Sequence, residues 1–232
     1  PGLMLSFIFC GITCAFVALC YAELAAMIPV AGSAYTFGYI GLGELWAWII
    51  GWDLILEYVV AVAAVAVGWS GYIVMLLKSA GINIPDALSN APGQKGGIVN
   101  LPAILILFVI TLLLIKGVSE SAKLNNILVI IKLAVVILFI VVGAGHIQPA
   151  NWNPFLPYGV NGIFKGAAII FFAYLGFDAV TTAAEEVKNP QRDLPIGILA
   201  SLAVCTVLYI IVSGILTGMV PYKEFHNNAA PV

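Results

Sequence analysis

The sequence predicts an all-α integral membrane protein, and three observations predict it. Hydrophobic residues make up 62% of the 232 and charged residues only 9%, with a mean hydropathy of +1.11. A water-soluble domain of this length could not cover so much apolar surface with so few charges. Second, six apolar runs follow one another, and a bilayer crossing takes roughly 20 such residues as helix. Third, one run meets a glycine and then a carboxylate at mid-length, in Phe171-Phe172-Ala173-Tyr174-Leu175-Gly176-Phe177-Asp178. An acid that deep in hydrocarbon is costly, and a mid-span glycine weakens the helix that carries it.

The first run covers Leu3–Ala22. Its Cys10 and Cys14 stand one turn apart with no histidine near, which suits small apolar core residues better than a disulfide or metal pair. A connector, Glu23–Gly43, contains Pro29, Gly32 and Ser33. The second run, Glu44–Leu77, exceeds a perpendicular crossing, so it must tilt or let its ends leave the hydrocarbon. A loop rich in Gly, Pro and Asn covers Ser79–Asn100. The third run is Leu101–Ile115 and the fourth Asn125–Gly145. A loop with Pro149, Pro154 and Pro157 leads to the fifth, Asn161–Ala184, expected to break near 174–177. The sixth is Leu194–Val220. All six are expected to form a single transmembrane domain over residues 1–232. The chain opens on Pro1-Gly2 and is apolar almost at once, which reads as a piece of a longer protein.

Several classes are excluded. The net charge of -2 carries no basic patch, so nucleic acid is not a partner. Gly93-Gln94-Lys95-Gly96-Gly97 lacks the phosphate-loop spacing and reads as a turn. No enzymatic constellation, metal site or cofactor site is expected. Basic residues do not orient the chain, because Lys116, Lys123, Lys188 and Arg192 balance Lys78, Lys95, Lys165 and Lys223.

Charges within the runs carry the functional reading. Lys132 sits near the middle of the fourth run, where an ammonium needs a cavity, carbonyl oxygens or a carboxylate. Desolvation favours the neutral amine, so Lys132 is either a proton-coupling group or half of a static ion pair. Glu57 lies mid-way along the second run, with Asp53 one turn before it and Ala61, Ala63, Ala64, Ala66 and Gly68 after it. Small residues there allow close helix approach, and Glu57 pairs with Lys132, lines a polar pathway, or stays protonated and hydrogen-bonded in the core. Asp178 follows Gly176 by two residues. A helix unwound near Tyr174–Phe177 frees carbonyls before the break and amides after it. Carbonyls take an ammonium, while amides and the helix dipole take a carboxylate, which is how a broken span binds a zwitterion. Phe171, Phe172, Tyr174 and Phe177 surround the break and either close over the solute or are lipid-facing or packing aromatics. Glu185, Glu186, Lys188, Arg192 and Asp193 form a mixed-charge turn stiffened by Pro190 and Pro195, read as a solvated connector or a salt-bridged gate. His146 and His226 read as solvated loop residues.

Phe171 to Pro195, FFAYLGFDAVTTAAEEVKNPQRDLP, resembles the sixth helix and following loop of the amino acid–polyamine–organocation superfamily, and is most similar to bacterial members of its cationic amino acid transporter family. Tyr21-Ala22-Glu23-Leu24 and Pro29-Val30-Ala31-Gly32-Ser33-Ala34-Tyr35 resemble the second helix and first internal loop. The resemblance implies helices two to seven of a LeuT-like five-plus-five inverted-repeat transporter, multi-pass in the plasma membrane. It also implies that Lys116/Lys123 and Lys188/Arg192 face the cytoplasm.

Substrate-binding positions implied by the match are Phe172, Ala173, Tyr174, Leu175, Gly176 and Phe177. Phe172 corresponds to an aromatic gate, and the carbonyls of Phe172, Ala173 and Leu175 face the substrate amino group. Lys132 matches the lysine that replaces a sodium ion in proton-coupled members, and Glu57 and Asp178 match polar pathway residues. The expected partners are an amino acid, protons and membrane lipid. The expected function is secondary active amino acid transport by proton symport, with Lys132 as the coupling group. Obligate exchange and a non-transporting amino acid sensor are the alternatives.

Overall fold

The computed structural model describes residues 1–93, 96–115 and 118–225. Gln94, Lys95, Lys116 and His226, singled out above, lie outside the described residues, as does the side chain of Lys123. In chain order the helices are α1 (Leu3–Met27), α2 (Ser33–Leu42), α3 (Glu44–Ser79), α4 (Asp86–Ser89), α5 (Leu101–Ile115), α6 (Val118–Ala144), α7 (Gly159–Ile170) and α8 (Pro190–Met219). Tight 3₁₀ turns occupy Phe171–Tyr174 and Asp178–Glu186, between α7 and α8.

Among the described residues, five helical stretches are long and apolar enough to cross a membrane: Leu3–Met27, Glu44–Ser79, Asn125–Ala144, Gly159–Glu186 and Pro190–Met219. The sixth expected run, α5, has 15 residues. At 1.5 Å per residue that is about 22 Å, short of a hydrocarbon core of about 30 Å. The 36 residues of α3 span about 54 Å at the same rise, well beyond one perpendicular crossing. Large apolar side chains stay exposed along α3, α5 and α6, among them Leu56, Val65, Phe108, Ile130 and Leu138. Such surfaces suit an apolar environment rather than water.

The described residues divide into two compact units, the first Pro1–Glu57 with Leu138–Glu224 and the second within Tyr58–Ile137. In the first, α1 packs on α7 and α8. The buried face of α1 is a stripe of small residues at helical spacing: Ser6, Cys10, Gly11, Cys14, Ala18, Ala22 and Ala25. Small residues let backbones approach closely where lipid supplies no hydrophobic drive between helices. A side chain at Gly11 would come within 2.7 Å of the Thr206 methyl on α8, and one at Gly214 within 2.9 Å of Met4 Sδ. Cys10 and Cys14 belong to this packed face as free thiols. Ser6 Oγ ties α1 to α7 by donating to the Ile163 carbonyl at 2.9 Å. At the far end of α8, Asn151 Nδ2 and the Gln148 amide both donate to the Gly218 carbonyl, at 2.8 and 3.0 Å.

The second unit is held by a polar joint. Asn100 precedes α5, and its Oδ1 accepts from the Ala103 amide at 3.1 Å, an N-cap that satisfies one of the helix's orphan donors. The same oxygen accepts from Ser70 Oγ of α3 at 2.6 Å. Ser70 is fully buried and Asn100 nearly so.

Candidate functional site

The interrupted span is the centre of the candidate site. Helix α7 runs to Ile170, tightens through Phe171–Tyr174, and then leaves helical geometry altogether. Leu175 is extended at φ -57°, ψ 140°, and Gly176 takes φ +103°. That positive φ is open to glycine and strained for residues with a Cβ. No heavy atom lies within 4 Å of where a Gly176 Cβ would stand, so the requirement for glycine is conformational and not one of space. Helical turns resume at Asp178. The break thus falls on Leu175–Phe177, one residue later than the expected window at its start.

Around the break the aromatic rings take two roles. Tyr174 is buried, and its Oη donates to the Phe7 carbonyl of α1 at 2.9 Å. Phe177 meets Tyr21 edge-on at 5.9 Å. Both therefore pack onto α1. Phe171 and Phe172 remain exposed, and these two rings are positioned to contact anything outside the α1–α7–α8 core. Among the carbonyls expected to face a substrate, Phe172 O accepts a long bond from the Leu175 amide at 3.4 Å, and Ala173 O accepts from Tyr209 Oη at 2.9 Å. A cavity of about 240 Å³ opens on the α8 side of the break, bounded by Tyr174, Gly176, Phe177, Ser201, Cys205 and Tyr209.

The acid after the break is not isolated. Asp178 is 7% exposed. Its Oδ2 accepts from Ser33 Oγ at 3.3 Å, and its backbone carbonyl accepts from Thr181 Oγ1 at 2.6 Å. Glu57 and Tyr21 are close enough to Asp178 for direct electrostatic interaction, and the Tyr21 hydroxyl also neighbours Ser33. Two carboxylates and two hydroxyls from α1, α2, α3 and the interrupted span are thereby gathered in one place.

Of the sequence-predicted site residues, the structure brings together the break segment with Asp178 and Glu57. Lys132 lies in α6 within the second unit, with its side chain exposed. Asp53 is exposed, as are Glu185, Glu186, Lys188, Arg192 and Asp193, which matches a solvated connector. His146 follows α6 and its ring nitrogen Nδ1 lies 2.9 Å from the Val142 carbonyl. Sequence reasoning missed Tyr21, Ser33, Thr181, Cys205 and Tyr209 as neighbours of the break. Ser33 had a local signal, standing after Pro29 and Gly32, but its partner is 145 residues away and nothing local names it.

Comparison with known proteins adds the following. A family model described as amino acid permease matches residues 1–231. The methylthioribose transporter of Bacillus subtilis (strain 168) is 54% identical over 97% of this chain and 49% of its own length. The branched-chain amino acid permease BcaP of the same organism is 54% identical over 100% of this chain and 50% of its own length. Cationic amino acid transporter 9, chloroplastic, of Arabidopsis thaliana is 41% identical over 99% of this chain and 41% of its own length. The chain spans about half the length of the curated relatives it matches.

Proposed function

The chain belongs to the amino acid permease family, and on that premise we propose that it is part of a secondary transporter that carries amino acids across the plasma membrane by proton symport. The observation that carries the proposal is the break at Leu175–Phe177 inside a membrane-length segment, held open by a glycine at φ +103°. Freed carbonyls and amides at such a break suit the two charged ends of a zwitterion. The exposed rings of Phe171 and Phe172 flank it, with Phe172 as the gate, and Ala173, Leu175 and Gly176 offer backbone to the solute.

Proton coupling has two carriers in this reading. Lys132 toggles its charge during the cycle, since an amine at mid-span is stable there only when neutral or well solvated by polar groups. Glu57 and Asp178 form the acidic end of the pathway, and the gathered hydroxyls of Tyr21 and Ser33 support it. For the substrate, the name of the 54% identical BcaP relative favours branched-chain amino acids. A second reading comes from the equally similar relative named as a methylthioribose transporter, in which the same backbone groups bind hydroxyls of a neutral sugar.

The test is uptake by the complete protein in proteoliposomes. Labelled leucine, isoleucine, valine, lysine and methylthioribose are compared, with and without an imposed inward proton gradient. Concentrative uptake of a branched-chain amino acid that needs the gradient supports the proposal. Uptake of methylthioribose alone supports the second reading. Uptake indifferent to the gradient but dependent on internal amino acid reassigns the protein to exchange. Saturable binding without flux reassigns it to sensing.

A further inference from the structure

Tyr209 stands on α8, outside the break, and reaches it. Its ring packs against Phe7 at 5.3 Å and edge-on against Tyr174 at 5.4 Å, and its hydroxyl donates to the Ala173 carbonyl at 2.9 Å. In a continuous α-helix the Ala173 carbonyl would accept from the amide of Phe177. The extended Leu175 and the reversal at Gly176 interrupt that ladder, and a side chain from a neighbouring helix supplies a donor. Tyr209 and Ala173 both line the cavity of about 240 Å³ beside the break.

We propose that Tyr209 is a positioning residue for solute binding: it fixes the Ala173 carbonyl at the break, so that the unwound backbone is set before the solute arrives. A carbonyl oxygen has two lone pairs. Tyr209 engages one and fixes the direction of the other. Without the hydroxyl, the carbonyl loses this donor and is free to turn towards another. That freedom adds a reorganisation cost to binding that pre-organisation had removed. The Phe7–Tyr174–Tyr209 ring cluster makes the device stiff, because Tyr174 is itself anchored to the Phe7 carbonyl at 2.9 Å. The inference rests on the reading of the break as the solute site.

The experiment replaces Tyr209→Phe in the complete protein, which keeps the ring packing and removes only the hydroxyl. Uptake kinetics are measured in proteoliposomes with the solute the unaltered protein carries, alongside thermal stability in detergent. The expected result is a KM raised about 3- to 10-fold, with the maximal rate per copy within about twofold and stability near that of the unaltered protein. An unchanged KM overturns the proposal. So does a variant that no longer folds, because that marks the hydroxyl as a structural element. Lack of saturable uptake by the unaltered protein strikes at the solute reading of the break. Saturable uptake with an unmoved KM in Tyr209→Phe strikes only at the role of Tyr209.

Discussion

The Ser33 hydroxyl donates to Asp178 Oδ2 at 3.3 Å, joining the first residue of α2 to the first helical residue beyond the break. Ser33 is 1% exposed and holds a backbone φ of +52°. The contact therefore fastens a strained corner of one element to the loose half of another.

This corner makes a paired prediction. Ser33→Ala loses the bond to Asp178 and keeps the strain of a Cβ at positive φ. Ser33→Gly loses the same bond and relieves the strain. The glycine variant is expected to be the more stable of the two by about 1 kcal/mol. Thermal unfolding of both variants in detergent checks it, and an alanine variant as stable as the glycine one refutes the strain argument.

At Gly176 the expectation runs the other way. Ala there meets open space, yet it must adopt φ +103° or pull the break into another shape. The cost is about 1–2 kcal/mol if the break persists. Solute uptake should fall at least about tenfold while the protein still reaches the membrane. Normal uptake kinetics in Gly176→Ala would show that the break does not need its glycine.

Lys132 and Glu57 are separable by the kind of defect they leave. Lys132→Met is expected to abolish gradient-driven accumulation while counterflow between loaded compartments persists. Glu57→Gln keeps the shape of the side chain and removes its charge, so uptake should persist with a flattened dependence on external pH. Rates measured from pH 5 to 8 for both variants decide this. Retained accumulation in Lys132→Met ends its assignment as the coupling group.

The second unit offers a stability test free of transport chemistry. Asn100→Ala removes the cap on α5 and leaves the buried Ser70 hydroxyl without its acceptor. A loss of about 1–3 kcal/mol is expected. Asn100→Asp, which still accepts from the amide and the hydroxyl, should recover part of it. Equal melting of all three proteins would dismiss the joint.

Much of this fold was legible in the sequence because lipid imposes a simple code. Long apolar runs become helices, and Gly176 with Asp178 marks a weak point within one of them. The short α2 was not visible, since Pro29, Gly32 and Ser33 advertise a connector, and helix restarts right after the left-handed corner at Gly32 and Ser33. The site was legible only where it is local. Residues Phe172–Phe177 announce themselves by glycine and aromatics in one window. Tyr209 reaches Ala173 across 36 residues and Ser33 reaches Asp178 across 145, and both depend on how α1, α2 and α8 are laid together. Tyr174 and Phe177 could not be told from solute-facing rings by composition, because Phe7 and Tyr21, which receive them, lie in the first apolar run.

The seam between α1 and α8 limits side-chain size on both helices. Gly11 faces Thr206 with no room for a methyl group, and Gly214 faces Met4 in the same way. Both contacts mark a close approach of the two helices. Over this stretch α1 and α8 form one interlocked pair, and any larger side chain at Gly11 displaces its neighbour on α8.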